Sequence, residues 1–188
     1  CDYITDGIAD EVQLNTALAE NRYVRTIGNL HIADSVTPVA NNVLVVGGTI
    51  SRGNLNDELI YSTADGISII GDGGTLEGNS STNSNLKSII RLTGNNLTIR
   101  DITVQNTYYY GIELSSTRNT SVINCRVFNC TNATTKYATG GGIIVYDRSS
   151  DILIQGKRIS KAGWMGISVA GDTSNSEWVR IIGNDVSY

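Results

Sequence analysis

From Val43 onward the chain is a succession of short apolar runs with alternating polar positions, punctuated by Gly, Asn, Asp, Ser and Thr. Alternation with a period of two marks strands that bury one face. One earlier segment reads differently. After Asp6-Gly7-Ile8-Ala9-Asp10-Glu11, the apolar residues Val12, Leu14, Ala17 and Leu18 fall at helical spacing. Asp10 stands in the N-cap position with an acid in the first turn, so the pattern predicts one helix of about ten residues. No further helix is predicted after Glu20.

The apolar runs repeat. Leu97-Thr98-Ile99-Arg100-Asp101-Ile102-Thr103-Val104 aligns with the strings that open at Ser121, Ile152 and Val179, and fainter copies open at Val43 and Ile67. With Val45, Ile69, Ile99, Ile123, Ile154 and Ile181 as markers, the steps are 24, 30, 24, 31 and 27 residues. A second string precedes the later markers: Gly111-Ile112-Glu113-Leu114, Gly142-Ile143-Ile144-Val145 and Gly166-Ile167-Ser168-Val169. Each period therefore carries three short strands, with its length variation confined to two connections. Such a unit is too small to bury both faces of its strands, so successive units must stack as a solenoid. Stacking turns Ile112, Leu114, Ile143, Val145, Ile167 and Val169 inward, in columns spaced about 4.8 Å. A hairpin sandwich is disfavoured, because tight Asp-Gly turns occur only at Asp65-Gly66 and Asp72-Gly73.

Composition agrees. The 188 residues suit one domain; 40% are hydrophobic, with a single Phe and a single Met, so Val, Ile and Leu must fill the interior. Twenty Gly against one Pro fit many tight turns. A net charge of −4 without a basic run argues against nucleic acid as partner. No apolar stretch approaches the ~20 residues of a membrane span. Opening at Cys1 without an initiator Met implies processing or excision, an excised boundary being favoured over a lipidated cysteine. Along an extended segment Cys125 and Cys130 would stand ~16 Å apart, too far for a disulfide, and are expected free and partly buried. With His31 the sole histidine, no zinc pattern exists. Gly71-Asp72-Gly73-Gly74 has no following Lys and reads as a turn, not a phosphate loop. Asn79, Asn96, Asn119, Asn129 and Asn132 each open an Asn-x-Ser/Thr triplet, as chance allows in so Asn-rich a chain.

The repeats Gly-Ile-x-Leu and Ile-x-x-x-x-Val resemble those of the pectate-lyase-like superfamily, and Asp6-Gly7-Ile8-Ala9-Asp10 with its helix resembles the N-terminal cap of pectin-lyase-like enzymes and phage tailspikes. The resemblance covers nearly the whole chain and implies an all-β, right-handed single-stranded parallel β-helix. A single domain spans 1–188, with a cap over 1–22 and about six coils over 23–188. The last copy stops at Tyr188 in mid-coil, so continuation of the solenoid beyond it, or cover by another subunit such as in a homotrimer, is expected. The superfamily holds lyases, hydrolases, epimerases and non-catalytic adhesins, so the likeness speaks to fold more than to reaction.

The resemblance also implies ligands along the sheet of Gly-Ile strands. Its outward positions read Tyr61, Arg91, Glu113, Ile144 and Ser168, with Thr93, Ser115, Tyr146 and Ala170 alongside. One reading is a carboxylate site for sugar: Glu113 as acid or base, Asp147 as its partner, Arg91 holding an acidic substituent. The other is a cross-strand ion pair worth about 0.2–1 kcal/mol. Tyr108, Tyr109, Tyr110, Tyr137 and Trp164 precede the Gly-Ile strands and suit the C–H faces of sugar rings; Tyr61, Tyr110, Tyr137, Tyr146 and Trp164 are the expected sugar contacts. The superfamily's Gly-His-Gly, Arg-Pro and Tyr-Gly-x-Asp-Pro-His elements are missing. No cofactor is expected, and calcium at Asp147, Asp151 or Asp172 has no ligand loop behind it. The function expected is an extracellular, cell-surface or virion-surface protein that engages polysaccharide, as a lyase or glycoside hydrolase if catalytic. The rival is a non-catalytic structural or adhesive domain or tail-fibre segment.

Overall fold

A computed structural model describes residues 9–53, 56–80, 87–130, 140–163, 165–171 and 175–187. Helix α1 (Glu11–Glu20) leads into two long strands, β1 (Tyr23–Ile32) and β2 (Val43–Arg52). Coils of three strands follow. They are β3 (Ile60–Ser62), β4 (Ser68–Gly71) and β5 (Thr75–Ser80), then β6 (Ile90–Leu92), β7 (Thr98–Arg100) and β8 (Thr103–Thr107). Next come β9 (Tyr110–Ser115), β10 (Arg118–Ile123) and β11 (Arg126–Cys130), then β12 (Gly141–Tyr146), β13 (Ser150–Gln155) and β14 (Arg158–Ser160). The last described coil is β15 (Met165–Ala170), β16 (Glu177–Ile182) and β17 (Asp185–Ser187).

Corresponding strands pair in parallel, giving three ladders: β3-β6-β9-β12-β15, β4-β7-β10-β13-β16 and β5-β8-β11-β14-β17. The second and third ladders merge at β2, whose first half pairs with β4 and whose second half pairs with β5. β1 lies against the whole of β2. Hydrogen bonds thus run between coils, while side chains fill the space within them.

The interior is built of aliphatic columns. Ile60, Ile90, Ile112, Ile143 and Ile167 are successive register partners in the first ladder. All but Ile167, on the last described coil, are buried, and each buried side chain of this size contributes about 1.5–3 kcal/mol. The expected column of Ile112, Ile143 and Ile167 is therefore present. Val169, expected inside, is 43% exposed because it sits on that same last coil.

In the second ladder the register runs Leu44, Ile69, Ile99, Val122, Ile154, Ile181. The markers Val45 and Ile123 are thus each one residue out. Both lie beside a second aliphatic, so alternation alone did not say which faces inward, and a one-residue slip exchanges the faces. Val122 is buried, whereas Ile123 is only half-buried. The same slip pairs Val104 with Val127 and not with Phe128.

Helix α1 forms where predicted and closes the first coil with Leu14, Ala17 and Leu18; Val12, at helical spacing with them, is 62% exposed. Asp10 occupies the N-cap but makes no side-chain cap. Its carboxylate instead accepts from the His31 amide at 2.8 Å, and Glu11 accepts from the Ala33 amide at 2.9 Å. The two acids tie the helix to the end of β1.

The polar residues between strands have positional jobs. Asp101, Asn124, Gly156 and Gly183 occupy one bend on successive coils with φ of 58°, 51°, 65° and 60°, the left-handed region that Asn, Asp and Gly adopt most readily. Asn96 and Asn119 form a second such bend, where the Asn119 amide donates to Asn96 Oδ1 at 2.8 Å. Asn129 and Asn106 repeat the arrangement at the end of the third ladder. Four of the five Asn-x-Ser/Thr triplets, those at Asn79, Asn96, Asn119 and Asn129, therefore reflect left-handed bends; Asn132 lies outside the described residues.

The glycines of the Gly-Ile strings answer to crowding. A Cβ on Gly111 would lie 2.7 Å from Val127 Cγ1, and one on Gly142 would lie 2.8 Å from Ile159 Cγ2, besides striking the Gly166 carbonyl. Neighbouring third-ladder side chains already fill that corner.

Ile102, Cys125 and Lys157 follow one another on successive coils just before the third-ladder strands, and Lys157 is only 2% exposed. Its ammonium leans on the Cys125 thiol without a well-aligned hydrogen bond. Burial pulls the Lys157 pKa down to about 8, against the opposing pull of Cys125 and Asp101. Cys125 and Cys130 are free, as expected, and both are buried outright, not partly; burial raises both thiol pKa values.

Two outcomes are expected. Gly142→Val should destabilise the protein by about 1–3 kcal/mol in urea unfolding, the usual cost of overpacking. The unfolded chain binds more protons at Lys157 between its folded value of about 8 and the ordinary 10.5, so this group's contribution to stability rises with pH across that window, opposed from about pH 9 by the raised thiols of Cys125 and Cys130. Lys157→Met should lose the rising contribution, so its stability should fall relative to wild type as pH climbs, as read from urea midpoints at pH 7, 9 and 10.5.

Candidate functional site

The outward column Tyr61, Arg91, Glu113, Ile144, Ser168 exists in the expected register on the first ladder. Ser115, Tyr146 and Ala170 form the neighbouring column. The face is not the open groove that alternation alone implies. Glu113 is 4% exposed, and Ile144, Ser115 and Ser168 are also buried. For Glu113 the cause is plain: long side chains from adjacent coils lie over it.

Three groups converge on the Glu113 carboxylate. Ser88, one coil earlier, donates its hydroxyl to Oε2 in a very short contact. Tyr146, one coil later, donates its phenol to Oε1 at 2.8 Å. Arg91 Nε stands 3.1 Å from Oε1 as a charge contact, its N–H not aligned for a hydrogen bond. Arg91 then reaches the other way, donating from Nη1 to Glu58 Oε1 at 3.2 Å. Its guanidinium also lies over the Tyr61 ring, 6.0 Å from the centroid. One arginine thus sits between two carboxylates.

The electrostatics follow from this packing. Burial acts to lower the Arg91 pKa, yet Glu113 and Glu58 outweigh it and the net shift is upward. Tyr146 is pushed up to about 12, first by burial and then by its bond to Glu113. Tyr109 and Tyr110 meet edge to face at 4.5 Å, and both phenols are raised by burial with a further push from Glu113. The backbone of Ser88 is held in turn by Arg52, a fully buried guanidinium that donates to the Ser88 carbonyl at 3.0 Å. Burial lowers the Arg52 pKa to about 10.

Of the expected site residues, the structure gathers Arg91, Glu113, Tyr61, Tyr110 and Tyr146 around one cluster. Asp147 follows β12 at a left-handed φ of 50°, and the described contacts to Glu113 come from Ser88, Arg91 and Tyr146, not from it. Tyr137 and Trp164 lie outside the described residues. Sequence reasoning missed Glu58 and Ser88. The signal was available: each stands two residues before an inward isoleucine, Ile60 or Ile90, as Tyr110 stands before Ile112. Of the two readings of Arg91, the cross-strand ion pair with Glu113 is present, and Glu58 is a second acidic neighbour.

Among the described residues no group of three or more His, Cys, Asp or Glu side chains converges as metal ligands, and Asp172 lies outside them. A depression of ≈ 910 Å³ lies elsewhere, on the second ladder between Asn96, Asn119, Asp151, Trp178 and Arg180. Size alone does not outrank the charged and aromatic chemistry of the first ladder.

Three parallel ladders, wound by short coils around columns of isoleucine and valine, define a parallel β-helix protein. A family model described as "Right handed beta helix region" matches residues 28–188, and the chain belongs to that family. Among solved structures, a polygalacturonase from Erwinia carotovora ssp. carotovora aligns with a TM-score of 0.78 over 96% of this chain, at 14% identity. The chain spans 60% of that structure, and the likeness is one of fold. No curated protein matches the sequence. Among the described residues no helix is long and apolar enough to cross a membrane.

Removing the cation tests the cluster's architecture. Stranding a buried charge costs about 3–5 kcal/mol. The 37% exposure of the Arg91 side chain should bring Arg91→Met to about 1–3 kcal/mol. Urea unfolding measures this, and Glu58→Gln, which retains an acceptor for Arg91, should lose less than about 1 kcal/mol.

Proposed function

We propose that the protein engages polysaccharide at a cell or virion surface or in the extracellular medium, binding it across the face of the β3-β6-β9-β12-β15 ladder. The observation that carries this reading is the convergence of Glu58, Arg91 and Glu113 with Tyr61, Tyr109, Tyr110 and Tyr146 on one face. Aromatic faces accept the apolar side of a pyranose while charged and hydroxyl groups meet its hydroxyls. The fold shared with a polygalacturonase, by its name an enzyme of galacturonan, supports a carbohydrate ligand.

Within this reading Glu113 is a positioning residue. A general acid or base must trade its proton with the substrate. Both oxygens of Glu113 are already engaged by Ser88, Tyr146 and Arg91, so its carboxylate fixes Arg91 and Tyr146 in place. Binding, more than cleavage, is what this geometry offers.

The test is affinity electrophoresis on a panel of neutral, amino and acidic glycans, with reducing-end release assayed in parallel. Wild type should be retarded by at least one glycan. Tyr61→Ala and Tyr109→Ala should each weaken that retardation about 2- to 13-fold, the worth of one aromatic contact of about 0.5–1.5 kcal/mol. Absence of binding to every glycan would refute the proposal and leave a structural or adhesive role.

A further inference from the structure

We infer that the sugar bound on this face presents hydroxyl or ammonium donors and is not a uronic acid; the inference rests on the carbohydrate reading above. Arg91 is the one cation at the outward ladder positions among Tyr61, Arg91, Glu113, Ile144 and Ser168. It is flanked by Glu113 at 3.1 Å and Glu58 at 3.2 Å, so the triad carries a net charge of −1, and Arg52 and Asp57, the further charges beside Glu58, offset one another. A ligand carboxylate approaching Arg91 would meet two carboxylates already in place, and repulsion between like charges at this range is strong where water is scarce.

The supply of hydrogen-bond donors points the same way. The Ser88 hydroxyl and the Tyr146 phenol are spent on Glu113, and Arg91 donates from Nη1 to Glu58 while keeping its remaining N–H groups. Beside those N–H groups, whose charge two carboxylates already offset, the cluster offers acceptor capacity. Glu58 Oε1 accepts from Arg91, and among the described contacts Oε2 accepts from no group, although a carboxylate has about four lone-pair sites. A ligand complementary to spare carboxylate acceptors beside a tyrosine ring brings donors: sugar hydroxyls, and most strongly the ammonium of an amino sugar.

The experiment is a titration of the intact chain at low salt with three probes: chitosan oligosaccharide, cello-oligosaccharide and oligogalacturonate. Chitosan oligosaccharide should bind at least about tenfold more tightly than oligogalacturonate. In Glu58→Gln the triad becomes neutral while the amide oxygen still accepts from Arg91. Chitosan affinity should then fall about tenfold and oligogalacturonate affinity should rise. Tighter binding of oligogalacturonate by the wild type would overturn the inference and leave the carbohydrate reading intact. Unchanged preference in Glu58→Gln would also overturn it, by placing the ligand elsewhere. Failure of all three probes to bind would remove both.

Discussion

Everything in this molecule depends on the parallel hydrogen bonds that join each coil to the next. Strands from one coil alone have no partners, so a coil cannot fold by itself, and the interior exists only once several are stacked. This fixes what the sequence must repeat. An inward aliphatic has to recur at the same rung, a residue tolerant of left-handed φ has to recur at each bend, and little else is constrained. Asp101, Asn124, Gly156 and Gly183 satisfy the second demand with three residue types, which shows that the demand is on backbone conformation and not on side-chain chemistry.

The same stacking builds the polar cluster. Residues from four coils meet at Arg91 and Glu113 because equivalent rungs stand one above another: Glu58, Ser88 and Arg91, Glu113, and Tyr146 each come from a different turn of the chain. A site made in this way has its geometry set by the ladder, with Arg52 bracing it from inside through the Ser88 carbonyl. Its members neighbour one another in the register while lying 22 to 36 residues apart in sequence.

What the sequence made legible follows from the same logic. The first ladder was read correctly, down to the column of Ile112, Ile143 and Ile167, because a crowded glycine precedes each isoleucine and anchors the alignment. The second ladder has no such anchor. Where Val122 and Ile123 lie side by side, hydrophobicity alone cannot choose the inward one, and that choice is made by the bend at Asn124. Arg91, Glu113 and Tyr146 were legible as outward residues, but their burial was not, since it depends on which long side chains fold over the face. Glu58 escaped because it falls just before its strand, outside the repeated string, and the double pairing of Arg91 could not be foreseen without it.

The spacing of the strands carries a consequence for how such a protein diversifies. Between the third-ladder and first-ladder strands the chain runs from Ser80 to Ile90, from Thr107 to Tyr110, from Cys130 to Gly141 and from Ser160 to Met165, segments of quite different length. Each leads into a strand of the first ladder, the one that carries Arg91 and Glu113, and the strands of that ladder still pair in order. Because closing a longer loop costs only slowly more, insertions here are nearly free for the scaffold while they redraw the border of the face. Selection can thus alter that surface one turn at a time, with foldability left to the turns above and below.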